Sequence, residues 1–142
     1  MTATQPTTTD IDWLLNDMVD RVPDVDSVVA LSADGLAKGN SSTLSTSDAE
    51  HLAAAASAFQ SLANGTGRHF GGGEVRQTVV EMQQRFLLVT AVGVSGCLAV
   101  FTTVQADLGM VAYETNMLVT KVGTTLAPAA RRAQDTVPSK TA

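Results

Sequence analysis

At 142 residues the chain fits one domain with a real core, and 44% hydrophobic residues make it too apolar for a disordered one. A net charge of −5 gives no basic footprint, which argues against a binder of nucleic acid or anionic membrane. Only 16% of residues are charged, thin cover for a solvated surface, so a partner is expected to bury part of it.

In chain order, residues 1–9 are threonine-rich and read as a disordered arm with neither the basic nor the apolar region of a signal peptide. A first helix is predicted from Asp10 to Val22, with Ile11, Leu14, Leu15, Met18, Val19 and Val22 on one face. Thr9 and Asp12 resemble a capping box, and Pro23 stops the helix. Val25 to Ser32 reads as a strand, turned at Ser32-Ala33-Asp34-Gly35 into a short, poor strand from Leu36 to Asn40. Ser47 with Glu50 suggests a second capping box, opening a helix that ends at Ala63 or Asn64 before Gly65. Its expected core stripe is Leu52, Ala55, Ala56, Phe59, Leu62 and Ala63.

After Gly71-Gly72-Gly73, a half-exposed strand carries Val75, Gln77 and Val79 in alternation with Arg76, Thr78 and Val80. Phe86 to Val92 and Cys97 to Thr103 are apolar on both faces and read as central strands. The charge-free run from Phe86 to Ala106 is long enough to cross a bilayer, but Gly93-Val94-Ser95-Gly96 interrupts it and no basic cluster flanks it. No membrane insertion is expected. A last helix opens at Asp107, an N-cap, and presents Leu108, Val111, Ala112, Thr115, Leu118, Val119, Val122 and Leu126. The domain is expected over 10–127, with a flexible tail over 128–142. The single Cys97 forms no internal disulfide and suits a reducing, cytoplasmic setting.

This order, α-β-β-α-β-β-β-α with hairpin-length links, makes the sheet antiparallel, and the two poorer strands belong at its edges. Five strands at ~4.8 Å span ~24 Å. A helix is ~10 Å across, so covering both faces takes about four helices where the chain has three. A second copy would supply the fourth. Ala54, Ser57, Ala58 and Ser61 are small where a solvated helix carries Lys and Glu, so they are the expected dimer contact, together with the edge strand at Val75, Gln77 and Val79.

The hairpin Val28-Val29-Ala30-Leu31-Ser32-Ala33-Asp34-Gly35-Leu36 resembles that of the Roadblock/dynein light chain (Roadblock/LC7) family. Arg76-Gln77-Thr78-Val79-Val80-Glu81-Met82 with Phe86-Leu87-Leu88-Val89-Thr90-Ala91-Val92 resembles its strand pair, and Ala106 to Glu114 the start of its last helix. The resemblance covers residues 10 to 126 in order. It implies a profilin-like α+β fold, a five-stranded antiparallel sheet with helices on both faces, and dimerisation through the second helix and the neighbouring edge strand. It also implies a non-enzymatic regulator of a small Ras-like GTPase. Short stand-alone bacterial members are often encoded beside such a GTPase and a sensor-kinase-like protein, which makes both expected partners.

Other chemistry finds little footing. His51 and His69 are the only histidines, and with one cysteine they make no metal-ligand spacing. Neither Gly65-Thr66-Gly67-Arg68 nor Gly71-Gly72-Gly73 fits a phosphate loop, and Ser95 lacks a nucleophile elbow. No cofactor and no metal are expected. Arg68, Arg76 and Arg85 are the candidates for contact with a GTPase, as a finger residue in an activating role; as ordinary surface charges they would do nothing there. A scaffold that binds partners regardless of nucleotide state is the alternative. A small-molecule sensor ranks last, since the central strands offer only threonines such as Thr90 and Thr102. The role of Glu114 is left open between a buried and an interface carboxylate.

Overall fold

A computed structural model describes residues 7–94 and 96–126, so the arm over 1–6, Ser95 and the tail from 127 lie outside the described residues. Helix α1 spans Thr7–Arg21, beginning inside the expected arm. Ile11, Leu15, Met18 and Val22 recur every three or four residues and are buried. Thr9 therefore lies within the helix and is not its cap. The Asp12 carboxylate instead accepts the backbone N–H of Asn40 at 2.9 Å, and the Asn16 side chain accepts that of Ser42 at 2.8 Å. These two bonds moor α1 to the chain around β2.

Strands β1 (Val25–Ser32) and β2 (Ala37–Asn40) form the first hairpin. Gly35 sits at φ 87°, open to glycine at little cost, and its N–H donates to the Ser32 carbonyl at 2.9 Å. Helix α2 runs from Thr46 to His69. Its N-cap is Ser45, whose hydroxyl accepts the N–H of Asp48 at 3.0 Å, so the expected Ser47–Glu50 box gives way two residues earlier. At the other end Gly65 does not close it: the helix carries both Gly65 and Gly67 before Phe70 caps it. Then follow β3 (Gln77–Glu81), β4 (Arg85–Val92), β5 (Gly96–Thr103) and α3 (Leu108–Leu126). Asp107 caps α3 as its sequence suggests, accepting the N–H of Met110 at 3.2 Å.

The five strands make one antiparallel sheet in the order β2-β1-β5-β4-β3, with both weak strands at the edges. The charge-free run thus becomes the two innermost strands on one side, β4 and β5. No helix among the described residues is long and apolar enough to cross a membrane. Helices α1 and α3 pack on one face, over Val28, Ala30, Leu88, Leu98 and Val100. Helix α2 alone packs on the other, over Val29, Leu31, Leu87, Val89, Cys97 and Ala99. Arg21 spans Asp17 and Glu114 at 2.8 and 3.2 Å, so Glu114 ties α3 to α1.

Candidate functional site: a free edge and an uncovered helix flank

The distinctive surface lies on the α2 side. The residues α2 buries are Ala49, Leu52, Ala53, Ala56 and Gln60. At 100° per residue this stripe is rotated by about 70° from the expected one. Phe59 and Leu62, expected in the core, are 38% and 72% exposed. The reason is volume. Alanines at 49, 53 and 56 let the helix axis come close to the sheet, and larger side chains are turned to its flank. Phe59 and Leu62 share that flank with Ala55. On the same face of the sheet Val80 and Phe101 are only partly buried, so one helix leaves the face incompletely covered.

The four small residues expected to form a dimer contact are divided. Ala54 and Ala58 stand on the solvent side of α2. Ser57 and Ser61 fall on the opposite flank from Phe59 and line a cleft of about 320 Å³ with Gln60, Asn64, Arg68 and Cys97. Burial pushes the Cys97 thiol up to about 11, so it stays protonated near neutral pH. No group of three or more His, Cys, Asp or Glu able to hold a metal is found among the described residues. His51 and His69 are eighteen positions apart on α2, about 27 Å along its axis.

Of the expected edge residues, Gln77 and Val79 lie in β3, with Val79 47% exposed. Both face the α1–α3 side, because each sits opposite Thr90 or Leu88, whereas Thr78 and Val80 face α2. Val75 precedes the strand and is held by α2. The Gln60 amide donates to its carbonyl at 3.0 Å, and the Asn64 side chain accepts its N–H at 2.9 Å. Gln60, buried, also accepts the Thr78 hydroxyl at 3.1 Å. The sequence analysis assigns these two amides no role; their signal is a Gln and an Asn four residues apart, on one side of α2.

The three arginines do not converge. Arg85 pairs with Asp26 at 3.5 Å, with its guanidinium 5.3 Å from the centre of the Phe101 ring. Arg76, which lies beside Ala91, is six residues of β4 away, about 20 Å. Only Arg68 and Arg76 occupy the same end of the molecule. The threonines weighed for a ligand site are satisfied: Thr102 donates to the Thr103 carbonyl at 2.8 Å and Thr90 accepts from Gln77 at 3.3 Å.

An antiparallel sheet with two helices behind it, one in front and a free edge is an α+β platform of the profilin-like kind. The model of the Roadblock/LC7 domain matches residues 11–102, from Ile11 in α1 to Thr102 in β5. The chain belongs to the Roadblock/LC7 family. A Roadblock/LC7 domain from Streptomyces avermitilis is 45% identical, covering 78% of this chain and 92% of its own, with a TM-score of 0.75. MglB of Myxococcus xanthus shares the fold at 16% identity over 100% of both chains, with a TM-score of 0.68. An MglB in a tetrameric arrangement does so at 14% identity, over 95% of this chain and 96% of that one, with a TM-score of 0.67. No curated protein sequence matches.

Proposed function

We propose that this chain is a homodimeric regulator of a small Ras-like GTPase that acts by protein–protein contact and performs no chemistry of its own. The observation that carries the reading is the joint exposure of Phe59 and Leu62 beside an unpaired edge strand. An apolar helix flank next to a free edge is costly to leave in water, and a second copy would cover both at once. Membership of the Roadblock/LC7 family supports the GTPase as client, and the tetrameric arrangement of MglB supports self-association as a habit of the fold.

An activating role, if the dimer has one, falls to Arg68 or Arg76, since Arg85 is engaged with Asp26 and Phe101. Ordering the client's own catalytic loop would serve as well. The test is titration of the chain against small Ras-like GTPases of its own organism, each loaded with GDP or with a non-hydrolysable GTP analogue, followed by calorimetry. Tighter binding to one nucleotide state is the expected result. Equal binding to both states would make the protein a scaffold, and binding to neither would remove the proposal.

A further inference from the structure

The cleft beside α2 brings together two opposite charges that do not meet. Leu31, Cys97 and Ala91 lie in register across β1, β5 and β4 and form its apolar floor. Ser57, Ser61, Asn64 and Arg68 recur every three or four residues along α2 and form its polar wall. Small residues face each other here, serines on the helix against Ala91 and Gly96 on the sheet, so the gap stays open. At about 320 Å³ it lies at the small end of ligand pockets, which run from ~300 to 1,000 Å³.

Arg68 stands in the last turn of α2, and Glu74 lines the same cleft from the loop that leads to β3. Both are exposed, and among the described residues neither pairs with the other or with a third group. The backbone that carries them is nevertheless fixed. Gly72 N–H donates to the Gly67 carbonyl at 2.7 Å, and a methyl group at Gly67 would collide with the Gly73 carbonyl. The next residue, Val75, is held at both its N–H and its C=O by Asn64 and Gln60. Asn64 spends its side-chain oxygen on that bond, which leaves its NH₂ group as a donor on the polar wall.

We propose that this cleft binds a small zwitterion of the α-amino acid class. The ligand's carboxylate accepts from the Arg68 guanidinium and the Asn64 amide, and its ammonium donates to Glu74. Its side chain lies over Leu31, Ala91 and Cys97. A plain anion would meet the repulsion of Glu74, and a plain amine that of Arg68, so the pair of charges selects a molecule that carries both. This goes beyond the GTPase reading and stands without it.

The test is a titration of the full chain, labelled with nitrogen-15, against the common L-amino acids one at a time at millimolar concentration, followed by NMR. At least one is expected to give saturable shifts at the amides of Ser57, Ser61, Gly93 and Gly96 and at the side-chain NH₂ of Asn64. Arg68→Ala and Glu74→Gln, both at exposed positions, are each expected to weaken that binding about tenfold or more while the rest of the spectrum stays that of the folded chain. Blocking one charge of the ligand, by N-acetylation or by conversion of its carboxylate to the amide, is expected to cost as much. Saturable shifts for none of the amino acids, shifts confined to other parts of the molecule, or an affinity indifferent to both substitutions would each overturn the site. An N-acetylated form that binds as well as its parent overturns the assignment to a zwitterion.

Discussion

The two faces of the sheet are built on opposite plans. Under α1 and α3 the core is made of large side chains, among them Leu15, Met18, Leu88, Leu98, Val111 and Val122, all but fully buried. Under α2 the helix contributes Ala49, Ala53 and Ala56, with Leu52 its one large buried apolar side chain, so a single helix sits low over the sheet. The first plan covers most of its face within one chain, with Val79 of the edge strand left about half exposed there. The second leaves Phe59, Leu62, Val80 and Phe101 wholly or partly in solvent. What the contrast teaches is that one face is packed by large side chains from two helices, and the other is covered by a single helix that leaves part of it in solvent.

The comparison is broken most severely by attacking the closed face. Leu15→Ala removes a fully buried side chain between α1 and the sheet, and a loss of ~2–5 kcal/mol in unfolding free energy is expected from urea melts. Ala53→Leu probes the low seat of α2; overpacking there is expected to cost ~1–3 kcal/mol in the same assay, because the helix must lift. A smaller loss for Ala53→Leu than for a solvent-side control such as Ala54→Leu would mean that the close approach is not what orders this face.

Leu62→Asp sharpens the contrast in another way. It touches an exposed position, so monomer stability should shift within ~0.5 kcal/mol while sedimentation reports loss of self-association. A self-associating Leu62→Asp protein would show that this flank is not the contact. The smallest effect concerns Cys97. Its thiol is raised from 9.0 to about 11 by burial, so the folded chain holds that proton to higher pH than the unfolded one. The stability linked to it is intact below pH 9 and drains away as pH climbs towards 11, a loss that a Cys97→Ala variant should not show in alkaline melts.

Much of this was open to reading in the residues themselves. Val28 to Leu31, Phe86 to Val92 and Cys97 to Thr103 are apolar on both faces, interrupted only by threonines, which made them central, and Lys38 and Gly39 or the alternation at Val75 to Val80 marked the edges. Asp107 announced its own helix. The site was less legible. Periodicity locates an apolar stripe by size, and it put Phe59 and Leu62 inside because they are the largest apolar residues on α2. It had no means of knowing that alanines would be chosen for the sheet.

Strand order, the antiparallel sense and the shortage of one helix were therefore determined by sequence alone, because they follow from which segments are apolar on both sides and how short their links are. The rotation of α2 about its axis, the engagement of Arg85 with Asp26 and the clamp of Gln60 and Asn64 on Val75 were decided only in three dimensions. Each depends on how near two elements come, and that distance is set by the volumes packed between them, a property of pairs of surfaces that neither segment carries by itself.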